Sequence, residues 1–171
     1  MSVVYFMFQK KMFNKKNTQL VSAIFFYPTF PITALLRLGN YWTKIDDVIV
    51  LGCAPMALPM GVIDHPTMLY KLGIRGVINM CTEYSGPITS YNTLGIEQLR
   101  LPTVDHYEPT VAQFQDAMIF IEKHRLNGSK VYVHCKAGHG RAASIVQCWM
   151  MTQHKHLSSK VSLRACVCID Y

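Results

Sequence analysis

Charge is scarce in this sequence, and acidic charge is missing from one end altogether. Only 16% of the 171 residues are charged, and none of the ten acidic residues falls before Asp46. The first 45 positions carry six basic residues, Lys10, Lys11, Lys15, Lys16, Arg37 and Lys44, which leaves eleven basic against ten acidic in the rest. The formal charge of +7 therefore belongs to the N-terminal region, and the body lacks the excess of basic residues that nucleic-acid binding needs. Metal-ligand spacing is missing too. The six cysteines, at 53, 81, 135, 148, 166 and 168, form no Cys-x-x-Cys pair, so neither a zinc site nor a disulfide framework follows from them. No repeat or low-complexity segment occurs, and no run reaches the ~18 uninterrupted apolar residues expected of a spanning helix. The best candidate, Leu20 to Leu36, is broken by Pro28 and Pro31.

Half of the residues are hydrophobic, enough to build a core for one domain. Residues 1–40 read as a basic, acid-free leader dotted with Tyr5, Phe6, Phe8, Met12 and Phe13. That composition suits a mitochondrial targeting segment or an anchor lying on a membrane surface. Residues 41–157 read as the globular domain and 158–171 as a divergent tail.

Within the domain, strands and helices alternate. Asp47–Gly52, Arg75–Met80, Gly95–Leu101 and Lys130–His134 read as strands. Asp64 is placed to cap a short helix ending before Gly73. Thr110 and Gln113 form a capping box for a helix over 111–126, with Val111, Phe114, Met118 and Ile121 as its buried face. A further helix runs from Ala142 to about Gln153. The pattern predicts an α/β fold with a mostly parallel central sheet flanked by helices. Ligands of such sheets bind beyond the carboxyl ends of the strands, which directs attention to the loop after residue 134.

That loop reads His134-Cys135-Lys136-Ala137-Gly138-His139-Gly140-Arg141. A strand feeds the cysteine, two glycines permit a tight turn, and a helix starts near the arginine. Such a loop can aim successive backbone N–H groups at one point, where they hold a phosphate and favour a thiolate. Cys135 is then the expected nucleophile for in-line attack on phosphorus, and Arg141 the planar fork for two phosphate oxygens. A cation in the first turn of a helix also asks for an anionic partner. The leaving alkoxide needs a proton donor, and Asp105, in the loop before the 111–126 helix, is the first choice, with Glu108 and His106 behind it. His134 is expected to orient the loop or steady the thiolate. Lys136 and His139 are expected at the rim, where they add positive charge toward an anionic substrate.

These residues resemble the cysteine-dependent phosphatases of the dual-specificity type, with their His-Cys-x5-Arg signature and upstream Asp loop. The resemblance is nearest to the mitochondrial phosphatidylglycerophosphate phosphatases. It runs through Phe26-Tyr27-Pro28-Thr29, Ile45-Asp46 with Leu51-Gly52, Gly76-Val77-Ile78 with Glu83-Tyr84, Leu94 through Asp105, and Val131 through Arg141. It implies hydrolysis of a phosphomonoester through a phosphocysteine, on an anionic phospholipid or a phosphoprotein, with inner-membrane surface association and neither metal nor organic cofactor. It implies that Cys135, Arg141 and Asp105 are catalytic and that residues 136–141 hold the phosphate. Relatives usually place a hydroxyl residue directly after the arginine; here Ala142 and Ala143 stand before Ser144. The missing hydroxyl implies a slow second step or, at the extreme, a phosphate-binding protein without turnover. The likeness fades from about Leu157, which implies an incomplete C-terminal helical layer.

Overall fold

A computed structural model describes residues 15–37, 39–58, 61 and 63–153. The expected tail, 158–171, lies outside the described residues, as do the aromatic residues named before position 15. The chain runs α1 (Lys15–Leu36), β1 (Trp42–Lys44), β2 (Ile49–Gly52), α2 (His65–Lys71), β3 (Ile74–Cys81), α3 (Ile88–Leu94), β4 (Glu97–Thr103), α4 (Val111–Leu126), β5 (Lys130–His134) and α5 (Arg141–Gln153). The strands form one sheet in the order β1-β2-β5-β3-β4. Only the β1–β2 pair is antiparallel, as a tight connection through Asp46 and Asp47 allows. The three strands β5, β3 and β4 are parallel neighbours, so their carboxyl ends open onto one edge of the sheet.

Both faces of the sheet are covered, and alternate side chains go to opposite layers. Ile49, Leu51, Val131 and Val133 face a layer built by Phe120 and Ile121 of α4 with Ile145, Val146 and Trp149 of α5. Val50 and Tyr132, one position out of phase, face Leu69 of α2 and Tyr91 of α3. Trp149 donates its indole N–H to Asp46 Oδ2 at 2.7 Å, while Asp46 Oδ1 accepts from the Val48 and Ile49 amides. One carboxylate thus ties α5 to the β1–β2 turn.

The expected start and stop signals work as read at α2 and α4. Asp64 accepts from the Thr67 amide, and Thr110 and Gln113 close a reciprocal capping box. Of the expected buried face of α4, Phe114, Met118 and Ile121 pack against the core and Val111 does not. Val111 is 73% exposed, and Ala117, Phe120, Ile121 and His124 carry the packing.

The apolar stretch at Leu20–Leu36 is not broken at Pro28 and Pro31: one helix passes through both. A proline inside a helix removes a hydrogen bond and costs about 3 kcal/mol. Both prolines lie on the exposed side, and tertiary packing on the other side holds the helix. Thr18, Ser22, Phe26, Phe30 and Ala34, spaced four apart, form the buried seam. Phe26 and Phe30 stack on each other with centroids 5.1 Å apart, and both lie against Tyr84, whose hydroxyl donates to the Pro55 carbonyl. The opposite side exposes Leu20, Ile24, Tyr27, Ile32, Leu35 and Leu36. By length and composition, residues 17–36 are sufficient to cross a membrane.

Candidate active site

The loops that follow β4 and β5 at the carboxyl edge of the sheet line one cavity of about 380 Å³. Asp105 to Glu108 line one wall, and Cys135 to Ala137, His139 to Arg141 and Ser144 the other. The structure therefore brings Cys135, Arg141, Asp105, His106, Glu108, Lys136, Ala137, His139 and Gly140 together, as the sequence leads one to expect. Among the described residues, no cluster of His, Cys, Asp or Glu is arranged to hold a metal ion.

The 135–141 loop owes its shape to bonds on its outer side. The His134 ring bonds the Cys135 carbonyl at 3.3 Å, the Ala54 amide the Lys136 carbonyl at 3.2 Å, and Arg37 the Ala137 carbonyl at 3.1 Å. The Ser144 amide takes the Gly140 carbonyl as the first turn of α5 forms. In a trans peptide the C=O and the following N–H point opposite ways. Anchoring these carbonyls outward therefore turns the amides of Lys136, Ala137, Gly138 and Arg141 the other way. That is the geometry of an anion-binding nest at a helix N-terminus. Gly138 makes the bend possible. Its φ is +83°, and a Cβ there would lie 2.9 Å from the Gly52 carbonyl oxygen.

Arg141 is almost completely buried and is held by an acid the sequence reading did not single out for it. Glu83 receives Nη1 at 3.1 Å and Nη2 at 2.8 Å, the Thr103 carbonyl accepts from Nη1 at 2.9 Å, and Asp105 Oδ1 lies 3.3 Å from Nη2. Burial alone pushes a guanidinium down. The Glu83 bonds and the nearby Cys135, Cys81 and Asp105 outweigh it and hold Arg141 firmly charged. Burial pushes the Glu83 carboxyl up, but its bonds to Arg141 and to the Thr82 hydroxyl leave it below its ordinary value. Asn79 shapes the Glu83 loop, accepting from the Cys81 amide and donating to the Tyr84 carbonyl. Arg141's need for an anionic partner is legible in sequence; which acid supplies it, 58 positions away, is not.

Asp105 sits in a turn closed by the Tyr107 amide on the Val104 carbonyl. His106, at the third position of that turn, has φ +64°, the left-handed conformation a type II turn requires there. The turn aims Asp105 at Arg141 and sets His106 Nε2 3.9 Å from the other carboxylate oxygen. His134 is fully buried, and desolvation lowers its pKa to about 3. It is therefore neutral, with the hydrogen on Nδ1 facing the carbonyl, which can only accept. A neutral ring orients the loop but supplies no charge to a thiolate. Ser144, the first hydroxyl after the arginine, bonds the Gly140 carbonyl at 3.2 Å, while Ala142 is buried.

Lys136 departs from the expected rim position. Its ammonium is held against α1 by Thr29 and the Phe25 carbonyl.

A family model described as the dual specificity phosphatase catalytic domain matches residues 61–165. The chain belongs to this family. As a dual-specificity-type phosphatase it carries a phosphoric monoester hydrolase domain built on cysteine chemistry. Among curated relatives, the phosphatidylglycerophosphate phosphatase PTPMT2 of Arabidopsis thaliana is 34% identical over 85% of this chain and 65% of its own length. The phosphatidylglycerophosphatase and protein-tyrosine phosphatase 1 of Rattus norvegicus is 34% identical over 78% of this chain and 73% of its own. Among solved structures, PTPMT1 in complex with PI(5)P superposes with a TM-score of 0.66 at 30% identity, covering 76% of this chain and 83% of that one. The dual-specificity fold is thus shared over most of both molecules.

Proposed function

We propose that this phosphatase removes the terminal phosphate of phosphatidylglycerophosphate at a membrane surface, through a phosphocysteine on Cys135. The observation that carries the reading is the shared cavity: Cys135 at its floor, Arg141 locked by Glu83, and Asp105 3.3 Å from the guanidinium. The inward amides of residues 136–138 and 141 take the phosphate oxygens, and Arg141 faces the charge that develops on them through Nε, the one guanidinium nitrogen that Glu83, Thr103 and Asp105 leave unbonded. Cys135 Sγ attacks phosphorus in line, the bond to the glycerol oxygen breaks, and Asp105 gives that oxygen its proton. In the second step water attacks the phosphocysteine, Asp105 takes its proton, and the thiolate leaves. With Ala142 where relatives carry a hydroxyl, that second step is the slower one.

The names of the relatives support a glycerophospholipid substrate, and the exposed apolar side of α1 supports a bilayer as the place of work. Because α1 buries Phe26 and Phe30 against the domain, it lies in the interface rather than spanning the bilayer. The enzyme works in the mitochondrion, on the surface of its inner membrane; the basic, acid-free N-terminal stretch supports this.

A substrate panel tests the reading. Purified protein is given phosphatidylglycerophosphate in mixed micelles, a phosphotyrosine peptide and p-nitrophenyl phosphate. Preferred release of phosphate from the lipid is the expected result. Hydrolysis of the peptide alone makes the chain a protein phosphatase, and phosphate binding without any turnover makes it a binding protein. Asp105→Asn is expected to lower kcat on the lipid by roughly 10²–10⁴-fold and to spare p-nitrophenyl phosphate, whose leaving group needs no proton.

A further inference from the structure

Residue 136 follows the nucleophile directly, so whatever holds it fixes the first peptide of the phosphate loop. Its ammonium is turned to α1. Lys136 Nζ donates to Thr29 Oγ1 and to the Phe25 carbonyl at 3.4 Å, and stands 5.1 Å over the Phe26 ring. The Thr29 hydroxyl spends its one hydrogen on the Phe25 carbonyl at 2.5 Å, which leaves oxygen lone pairs to face the ammonium. At the end of the same helix, Arg37 Nη2 holds the Ala137 carbonyl at 3.1 Å. Two successive loop residues are thus gripped by a single helix about 100 positions away in the chain. Burial pushes the Lys136 ammonium down against the pull of Asp105 and Glu83, so the lysine is not placed where its charge is best solvated.

We propose that Thr29 is a positioning residue of the phosphate loop: by taking the Lys136 ammonium onto α1, together with Arg37 on Ala137, it holds the loop amides in their anion-binding arrangement. Lys136 is then a tether, not a reader of substrate charge, and α1 belongs to the catalytic unit. The inference rests on the phosphatase reading, and wild-type turnover abolished by Cys135→Ser checks that reading separately.

The test uses the full chain, steady-state kinetics on p-nitrophenyl phosphate and on a bisphosphorylated aryl substrate, and orthovanadate affinity. Thr29→Val is expected to weaken orthovanadate binding and raise KM on both substrates by about tenfold, since small misplacements of a binding group are expensive. Thr29→Ser is expected to restore both. Lys136→Met should lower the two substrates by the same factor, and the double variant should be no worse than the worse single one, as two ends of one tether require. Unchanged orthovanadate affinity in Thr29→Val, even with a lowered Tm, overturns the proposal. So does a loss in Lys136→Met confined to the bisphosphorylated substrate. If Thr29→Val does not fold, Arg37→Met decides: weakened orthovanadate binding supports the proposal and wild-type affinity overturns it.

Discussion

Arg141 and Glu83 form a buried ion pair whose two members need each other. Removing one charge from such a pair typically costs about 3–5 kcal/mol because the other is left uncompensated. Glu83→Gln is therefore expected to lower Tm and to raise KM more than it lowers kcat, a split that steady-state kinetics on p-nitrophenyl phosphate reads directly. Glu83's folded value lies below its ordinary 4.5, so its contribution to stability is complete above that pH and is lost as pH falls through the folded value. His134 works in a higher window. Its folded value of about 3 lies below the ordinary 6.5, so on acidification the unfolded chain takes up a proton that the folded one refuses. Stability is full above pH 6.5 and falls by about 1.4 kcal/mol per unit below it. Tm measured from pH 7 to 4.5 is expected to drop, and His134→Asn to flatten the slope in part. His65 and His124, also lowered by burial, keep the remainder. An unaltered slope in His134→Asn would show the ring already titrates normally.

At the scale of elements, the sequence was most legible where the signals are local. The β5 strand and the α4 helix have the bounds read from residue pattern, because β-branched alternation and a capping box act within a few positions. The Cys135–Arg141 loop is equally local. The three-residue β1 and the seven-residue α3 went unread, since neither is long enough to show a period. The helix through Pro28 and Pro31 leaves no local sign, because what holds α1, Tyr84 and the 135–141 loop, is supplied by the fold and not by its own residues. The same distance hid Glu83 and Thr29: a partner 58 or 107 positions away leaves no mark beside its residue. The phosphate loop makes its own prediction. Gly138→Ala meets both a positive φ and the Gly52 carbonyl, so orthovanadate affinity should fall with the fold retained, as circular dichroism would show.

Taken whole, the molecule presents an apolar side of α1 to solvent and a candidate active-site cavity whose loop is bonded to that helix through Lys136 and Arg37. Large apolar side chains gathered on one exposed helix side mark an interaction site. Vesicles of anionic phospholipid should therefore bind the protein in a sedimentation assay. Ile24→Lys with Leu36→Lys should release it while hydrolysis of p-nitrophenyl phosphate stays as in the wild type. Vesicle binding unchanged by those two charges would remove α1 from the membrane contact.

The most direct trial of a Cys135 phosphoenzyme is a rapid-quench experiment with phosphatidylglycerophosphate labelled in its terminal phosphate. A burst approaching one labelled phosphate per chain is expected, mapped by mass spectrometry to Cys135 and followed by slow release that Ala142→Ser accelerates. Phosphate release that persists in Cys135→Ser, with no label ever found on the protein, would contradict it.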